Sequence, residues 1–162
     1  AWEAEALEAE KFGVRVVLAR FGVVLAARGG ALERMRTPFR LGLGGKLGSG
    51  LQWMSWVHLD DAVGLLLHAA TQKQLRGPLN VVSPNPVTNQ EFTRQLARVL
   101  SRPALLPVPR LALSLAFGEI SDVLLESQRV LPRVAQQSGY AFVFPDLVPA
   151  LRACTGQARA AG

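Results

Sequence analysis

The spacing of apolar residues switches between helical and strand periods at the start of the chain. The segment from Trp2 to Lys11 is rich in Ala, Glu and Leu, which predicts a helix, and Gly13 is well placed to end it. The next run, Val14 to Arg20, is β-branched and bounded by glycines, as is typical of a buried strand in a parallel sheet. Residues 22–30 are expected to form a turn. A helix followed by a buried strand indicates an α/β fold.

The most distinctive stretch is residues 41–70, where a glycine-rich loop leads into a short aromatic strand and then an apolar helix ending near Thr71. Its aromatic and acidic residues include Trp53, Trp56, His58, Asp60 and Asp61. Either aspartate can accept hydrogen bonds from the first free N–H groups of the helix. One interpretation is a loop that caps a helix. The other is that the two tryptophans and the histidine line a ligand cleft beside the glycines.

Three further segments have clear periodicity. A helix is predicted at Ala31 to Leu41, and a second strand at Leu79 to Val82. The prolines of residues 83–86 cannot continue that strand inside a sheet. A Thr-x-x-Glu capping box opens a helix predicted from Thr88 to Leu100. This helix begins the second part of the chain.

The pattern after residue 100 predicts short, mostly helical pieces. They are an extended piece at Ala104 to Val108, a core or partner-binding helix at Leu111 to Phe117, an amphipathic piece at Glu119 to Glu126, a short helix from Pro132 to Gly139, a small strand with alternating Tyr140, Phe142 and Phe144, and a last helix at Asp146 to Ala153. We therefore expect a mostly helical C-terminal lobe.

Composition places the chain among globular proteins. With 162 residues, 49% hydrophobic and 19% charged, it has enough apolar surface for a core and fits one domain or one compact piece of a larger one. No apolar run is long enough to cross a membrane. The single cysteine, Cys154, favours a reducing compartment, and we expect a cytoplasmic location. Because the chain starts within a helix and without Met, we expect it to be processed, trimmed or a fragment.

The net charge of +6 arises in one segment, because residues 15–46 hold seven basic residues and only one acidic residue, Glu33. Such a patch can attract an anionic ligand such as a phosphate, or it can be a solvated face. Nucleic acid is not the expected partner, since stacking aromatic residues are not interleaved with the basic ones and no nucleic-acid-binding signature occurs.

Several kinds of catalytic or metal site are disfavoured. His58 and His68 are ten residues apart, Cys154 is distant, and neither CxxC nor HExxH occurs, so no metal site is predicted. A Ser55, His58 and Asp60 trio lacks the GxSxG elbow of a serine hydrolase. The glycine loop has neither dinucleotide-fingerprint nor Walker spacing.

Seven segments occur in the order typical of one superfamily. They are Trp2-Glu3, Arg20 to Leu25, Gly29 to Ala31, Pro38 to Gly45, Trp56 to Asp61, Leu79 to Pro84 and Ser127 to Pro132. In these segments the chain resembles extended short-chain dehydrogenase/reductases, and within them the epimerase-family branch that ends in a domain of unknown function. The resemblance covers residues 2–152 but only the second half of the family's pattern. It implies the C-terminal part of a Rossmann-type parallel sheet plus a helical lobe.

The resemblance implies that the parent protein is an NAD(P)-dependent oxidoreductase or nucleotide-sugar epimerase, with NADP or NAD as cofactor. Family members hold the cofactor with a GxxGxxG-type loop and react through a YxxxK pair. The YxxxK pair does not occur in this sequence, whose one tyrosine, Tyr140, has no lysine at that spacing. The glycines of residues 42–48 do not follow a predicted strand, as the family's cofactor loop does. No catalytic residue is therefore predicted, and this chain alone is expected to be inactive. The alternative is a non-catalytic truncated protein or pseudoenzyme that serves as a binding module, with apolar residues of Leu111 to Leu125 exposed.

The resemblance also implies contacts to the cofactor. Strand Val14 to Arg20 corresponds to the strand after the catalytic helix, and the turn behind it meets the nicotinamide end through backbone groups. The predicted cofactor-binding residues are Arg20, Phe21, Gly22, Val23 and Val24. The alternative is that Gly22 only ends a strand.

For substrate, the resemblance divides the chain into a partial dinucleotide-binding domain, residues 1–83, and a C-terminal substrate lobe, residues 84–162, with residues 27–57 contributing to the cleft. The predicted substrate-binding residues are Arg36, Arg40, Trp53, Trp56 and Arg129. The arginines can pair with an anionic substrate and the tryptophans can stack on a ring, although core tryptophans and a surface salt bridge at Arg129 are the alternatives. His58 is expected to orient the loop. An exposed apolar sheet edge makes a homodimer an expectation.

Overall fold

The computed structural model describes residues 2–104 and 127–156. It begins with helix α1, Trp2–Leu7, which tightens into a 3-10 turn over Glu8–Phe12. Gly13 ends this element in the left-handed region at φ 74°, as the sequence predicts. The helix prediction is thus right in extent, while its second half is 3-10 rather than α.

Four short strands pair in parallel. Strand β1, Val17–Phe21, pairs with β5, Gly77–Val81, in a register that places Val17 beside Gly77 and Phe21 beside Val81. Strand β2, Val23–Leu25, pairs with β4, Trp56–His58. The turn predicted over residues 22–30 is therefore partly wrong, because its first residues extend along β4 and the chain turns only after Leu25.

A third, antiparallel pair joins β3, Trp53–Met54, to β6, Val87–Thr88. The short aromatic strand predicted around Trp53 and Trp56 is thus two strands with different partners. Ser55 lies between them, where the chain changes partner from β6 to β2.

Five helices pack around these strands in the described part of the chain. They are α2, Gly30–Arg40; α3, Leu59–Thr71; α4, Asn89–Leu100; α5, Arg133–Gln137; and α6, Leu147–Thr155. Helix α4 begins at the predicted Thr88 cap, where Oγ1 accepts the Glu91 N–H at 3.3 Å. Only half of the predicted capping box forms, because the Glu91 carboxylate bonds the Arg94 and Gln95 side chains instead.

Two hydrophobic clusters form the core. The first joins α2, α4 and α6, and its fully buried members include Leu25, Leu32, Trp56, Leu96 and Leu151. It takes residues from both sides of the domain boundary predicted after residue 83, and that boundary stays a prediction. The second cluster packs α3 against one face of β1 and β5, with Leu65, Leu79 and Val81 at its centre.

Strand β1 is only half-buried, which corrects the expectation of a buried strand. Val17 and Ala19 face the α3 cluster, whereas Arg20 and Phe21 are exposed. In the described part of the chain, α3 covers one face of the strand and leaves the alternate residues accessible. Helix α3 also has an exposed apolar stripe of Leu59, Val63, Leu66 and Leu67.

The segment at residues 140–144 is not a strand, contrary to its alternating aromatic pattern. Its backbone N–H groups at Val143 and Phe144 both donate to the buried Asp61 carboxylate at 2.8 Å, so they are not available to a neighbouring strand. Burial and the neighbouring Asp61 carboxylate raise the pKa of the Tyr140 hydroxyl, which donates to Asp61 Oδ1 at 3.1 Å. Two backbone N–H groups and the Tyr140 hydroxyl of this segment thereby fix the start of α3 through Asp61.

The predictions for Leu111 to Phe117 and Glu119 to Glu126, and nearly all of Ala104 to Val108, lie outside the described residues. The short helix after Pro132 and the last helix form as predicted, at α5 and α6. Among the residues that the structure describes, no helix is both long and apolar enough to cross a membrane.

Candidate functional site

The chain changes its pairing partner at Gly22, between β1 and β2. The Gly22 N–H donates to Val81 O on β5 at 3.2 Å, and the Val23 N–H donates to Ser55 O before β4 at 2.8 Å. A Cβ on Gly22 would lie 2.5 Å from Ser55 O and 2.9 Å from Val82 Cγ1, so only glycine fits between the two neighbours without a shift. The chain therefore diverges from β5 here and opens a crevice at the carboxyl end of β1.

A cavity of about 520 Å³ occupies this crevice, and we call it the switch cavity. Its lining residues are Arg20, Phe21, Gly22, Val23, Trp53, Met54, Ser55, Asn80, Val82, Gln128 and Val130. Crevices outside the carboxyl ends of parallel strands, where the strand connections diverge, are where open α/β sheets bind ligands. The position and the mixed apolar and polar lining make the switch cavity the candidate site.

One wall of the switch cavity is the segment 127–131, which side-chain hydrogen bonds hold in place. Ser55 Oγ donates to Gln128 O at 2.8 Å and accepts the Val130 N–H at 2.9 Å. The Trp53 N–H donates to Ser127 Oγ at 3.1 Å, and Asn80 Nδ2 donates to Leu131 O at 3.1 Å. Ser55 thus connects this wall to Val23, because its carbonyl accepts the Val23 N–H.

Trp53, in the lining of the switch cavity, contacts Arg129. The guanidinium carbon of Arg129 lies 4.6 Å from the centre of the Trp53 ring, which is a cation–π contact. Stacking uses the flat face of the guanidinium and leaves its N–H edges available to an anion. The structure therefore brings together two of the predicted substrate-binding residues.

A second cavity of about 450 Å³ adjoins the first, and we call it the arginine cavity. Its lining includes Arg20, Arg129 and Arg133, and it shares Arg20, Asn80 and Val130 with the switch cavity. Arg20 is paired: Nε and Nη2 donate to the two Glu3 oxygens at 2.7 and 2.6 Å. Hydrogen bonding by Arg20 lowers the pKa of Glu3, and the same bond raises the pKa of Arg20.

Trp56 lines neither cavity, and its predicted stacking role has no support in the described structure. Its side chain is fully buried in the first core cluster, and its Nε1 donates to Asn85 O at 3.0 Å. Successive side chains of an extended chain point to opposite faces, and Trp53 and Trp56 are three residues apart, so the two tryptophans have different surroundings. Of the two, only Trp53 is in the lining of the switch cavity.

Arg36 and Arg40 are also absent from both linings, so their predicted substrate contacts are not supported. Arg36 Nη1 donates to Ala27 O at 3.3 Å and to Cys154 O, near the end of α6, at 3.5 Å. Its charge favours the carbonyl end of that helix. Burial raises the pKa of the Cys154 thiol to about 11, so this cysteine is a core residue and not a nucleophile.

His58 caps helix α3, a role that the sequence analysis assigned to Asp60 or Asp61. Its Nδ1 accepts the Asp60 N–H at 3.2 Å, while the Asp61 carboxylate bonds residues 143 and 144. Burial lowers the pKa of His58, and this outweighs the nearby Asp60 and Asp61 carboxylates. The expectation that His58 orients the loop agrees with this cap.

Four of the five predicted cofactor-binding residues border the switch cavity: Arg20, Phe21, Gly22 and Val23. Val24 points away and packs against the α3 cluster, as the alternation of a strand requires. Whether these residues bind cofactor stays a prediction. Ser55 and Asn80 were missed as lining residues, although each is a polar residue between two apolar neighbours, which is a signal that the sequence carries.

Glycines at residues 42–50 border neither cavity. A Cβ on Gly44 would overlap the Phe39 ring, so the loop packs on α2. Among residues 2–104 and 127–156, no three His, Cys, Asp or Glu side chains are grouped as metal ligands.

Comparison with known proteins shows which proteins share these features. Residues 108–154 match the family described as Domain of unknown function (DUF1731). The Bacillus subtilis epimerase family protein YfhF is 44% identical over 150 residues, which are 93% of this chain and 49% of that protein. The chain matches the epimerase-family proteins that end in this domain. It spans about half the length of the curated relatives it matches.

Solved structures agree with the fold. The human epimerase family protein SDR39U1 (isoform 2) with NADPH has a TM-score of 0.82 and 42% identity, covering 88% of this chain and 49% of that one. A nucleoside-diphosphate sugar epimerase from Corynebacterium glutamicum has a TM-score of 0.76 and 32% identity, covering 96% of this chain and 29% of that one. The predicted epimerase-family resemblance and Rossmann-type α/β fold are confirmed.

Proposed function

We propose that this chain supplies the nicotinamide-side wall and part of the substrate cleft of an NAD(P)-dependent oxidoreductase or epimerase. The observation that carries the proposal is the switch cavity at the carboxyl end of β1, where the strand changes partner at Gly22. A similar protein also supports the proposal, since the structure of the human epimerase family protein contains NADPH.

The residues of the switch cavity fit a nicotinamide group. The cavity of about 520 Å³ presents the side chain of Phe21, which is 51% exposed, and the backbone of Gly22 and Val23. Ser55 and Asn80 add polar atoms beside this apolar surface. An amide-bearing aromatic ring needs this combination of a flat apolar contact and a few polar groups.

The nicotinamide group, when bound, supplies reversible two-electron redox chemistry. The chain's own residues bind and orient: Gly22 lets the backbone approach closely, Ser55 holds segment 127–131 as the opposite wall, and Trp53 with Arg129 faces the substrate side. The sequence contains no YxxxK, so we assign no proton-transfer residue to it. The chain alone binds cofactor weakly and does not turn over substrate.

We further propose an anionic substrate, of the nucleotide-sugar class, for the complete protein. Trp53 offers a ring for stacking and Arg129 a cation beside it. A relative described as a nucleoside-diphosphate sugar epimerase has the same fold over this region.

The test is saturation-transfer NMR of NADPH and NADH, each at millimolar concentration, with the 162-residue protein. Because only the nicotinamide side of the site is present, the nicotinamide protons should receive more saturation than the adenine protons for both cofactors. Gly22→Val should abolish the nicotinamide signal, because the added side chain would enter the gap between Ser55 and Val82. His68→Asn, on α3 and outside both cavity linings, is the matched control.

Saturation confined to the adenine protons, or equal nicotinamide signals from the unmodified protein and Gly22→Val, would contradict the proposal. A protein that transfers no saturation to either cofactor also contradicts it, and would favour the binding-module alternative. Circular dichroism of both variants confirms that they are folded before the comparison is made.

A further inference from the structure

Helix α3 is apolar on its outer face as well as on its inner one. Leu65 packs in the second hydrophobic cluster, whereas four other apolar residues are 44–62% exposed: Leu59, Val63, Leu66 and Leu67. These four recur at helical spacing and share one face, which we call the α3 stripe. A helix that is apolar all round is normally covered all round. The described part of the chain leaves the α3 stripe exposed.

The outer face of α3 also has no charge along most of its length. Residues 62–72 contain no Asp, Glu, Lys or Arg. His68, the one titratable side chain among them, is half-buried and bonds Ser138 Oγ at 2.9 Å. Exposed charges occur only at the two ends, with Asp60 in the first turn and Lys73 just after the last. The face is therefore apolar in the middle, acidic at one end and basic at the other.

This distribution of charge is self-complementary under a two-fold axis. Asp60 and Lys73 are equally far in sequence from the adjacent Leu66 and Leu67. An antiparallel copy of α3, packed about an axis at these two leucines, would bring Asp60 close to the partner's Lys73 at each end. Opposite ends of the two helix dipoles would also meet. A two-fold interface requires a patch that fits itself in this way.

We propose that α3 is the interface of a reversible homodimer, in which two copies of the chain pack their α3 stripes antiparallel about a two-fold axis. Burial of the leucines supplies the free energy of association, and the two ion pairs at the ends fix the orientation. This assigns the homodimer expected from the sequence to α3 rather than to the sheet edge. The inference is independent of the proposed function, because no residue of the α3 stripe lines either cavity.

The size of the face determines the strength of this dimer. The 13 residues of α3 make a face about 20 Å long and about 10 Å wide. That is less than the roughly 800 Å² per partner that a stable interface buries. We therefore expect a dissociation constant on the order of 10 to 100 μM.

A second copy fits the α3 stripe better than a membrane surface does. Helices that lie on membranes carry Lys and Arg along their polar face, beside the apolar residues that enter the lipid. Residues 62–72 of α3 have no such cation, and the first turn has the acidic residues Asp60 and Asp61. The charges of this face therefore match another α3 and do not match an anionic lipid surface.

The experiment is sedimentation velocity of the 162-residue protein from about 5 to 500 μM, a range that brackets the expected constant. The sedimentation coefficient should rise from the monomer to the dimer value. Leu67→Gln should raise the dissociation constant about tenfold or more, because the amide would be buried without a hydrogen-bond partner. Leu43→Gln is the matched control, since Leu43 and Leu67 are both 62% exposed and Leu43 lies outside α3. It should leave the constant within about twofold.

Charge reversal tests the antiparallel arrangement. Asp60→Lys and Lys73→Asp should each raise the dissociation constant about fivefold or more at low salt, because each would place like charges together at both ends. An equimolar mixture of the two variants should dimerise again, because every facing pair then has opposite charges. Circular dichroism confirms that each variant is folded.

Four results would overturn the inference. They are a monomer at the highest concentration, an unchanged constant for Leu67→Gln, equal weakening by Leu67→Gln and Leu43→Gln, and a mixture of the charge variants that associates no more than its components. A monomer would assign the α3 stripe to a different occupant. Each result leaves the nicotinamide saturation-transfer test unaffected, so failure of this inference and failure of the proposed function are distinguishable.

Discussion

The carboxylate of Asp61 accepts the backbone N–H of Phe144 at 2.8 Å, across 83 residues of sequence. The same carboxylate accepts the Val143 N–H and the Tyr140 hydroxyl, and Asp61 is completely buried. A buried carboxylate without a cation is stable only when donors satisfy both oxygens. Asp61 therefore binds the first turn of α3 to the chain that leads into α6.

Asp61→Asn should lower the free energy of unfolding by about 3 kcal/mol, since the amide places its own N–H groups against one of these donors and removes the charge from two hydrogen bonds. Urea unfolding followed by circular dichroism measures the change. Asp60→Asn, at the neighbouring exposed position, is the control and should change stability by no more than about 0.5 kcal/mol. Equal effects of the two substitutions would contradict the role given to Asp61.

Gly22→Ala tests the close approach at the strand switch. The added Cβ would lie 2.5 Å from Ser55 O, a backbone atom that moves only if β4 moves. We expect a loss of about 1–3 kcal/mol in stability. Since Ser55 also holds segment 127–131, amide signals of Gln128 and Val130 should shift as well. Shifts confined to residues 21–23 would show that the two walls are not coupled.

His58 gives the stability a pH dependence. Burial holds the pKa of the folded His58 below its ordinary value of 6.5, so the unfolded chain takes up the proton first as the pH falls. The free energy of unfolding should be greatest above pH 6.5 and decrease below it. Protonation of Nδ1 also removes the acceptor for the Asp60 N–H.

His58→Asn should flatten this decrease between about pH 7 and 5, because asparagine keeps an N-cap acceptor and does not titrate. Thermal unfolding at a series of pH values measures the slope. An unchanged slope would mean that another group causes the pH dependence.

Trp56→Phe should destabilise the protein without weakening ligand binding. The ring is fully buried and its Nε1 donates to Asn85 O at 3.0 Å, so the smaller side chain loses a hydrogen bond and leaves a cavity. We expect a cost of about 1–3 kcal/mol. At a temperature where the unmodified protein and Trp56→Phe are both folded, they should show equal NADPH saturation transfer. A loss of signal in the variant would instead indicate that Trp56 contacts the ligand.

Local signals predicted much of the fold. Strand β5 ends just before the prolines of residues 83–86, and helix α4 starts at the Thr88 cap. Both were predictable because a proline break and a helix cap each depend on only three or four neighbouring residues. The β-branched run before Gly22 predicted the start of β1 to within three residues. The cofactor-side turn was placed by resemblance, and four of its five residues border the switch cavity.

Features that depend on distant partners were not predictable in the same way. The aromatic alternation at residues 140–144 has the period of a strand, but its donors bond Asp61, about 80 residues earlier. Trp53 and Trp56 are equivalent by composition, and only the strands on either side of Ser55 decide which one is buried. Arg36 carries the right charge for an anion, yet helix α6 supplies its acceptor.

The pairing of β1 with β5 also determines the order in which the chain can fold as it is made. Val17 is beside Gly77, so β1 cannot pair with β5 until 60 more residues have been synthesised. At typical elongation rates of about 5–20 residues per second, that interval lasts on the order of 3 to 12 seconds. During it, Val17 and Ala19 lack the cover that β5 and α3 later provide. The β1–β5 pair therefore forms only several seconds after β1 itself has been made.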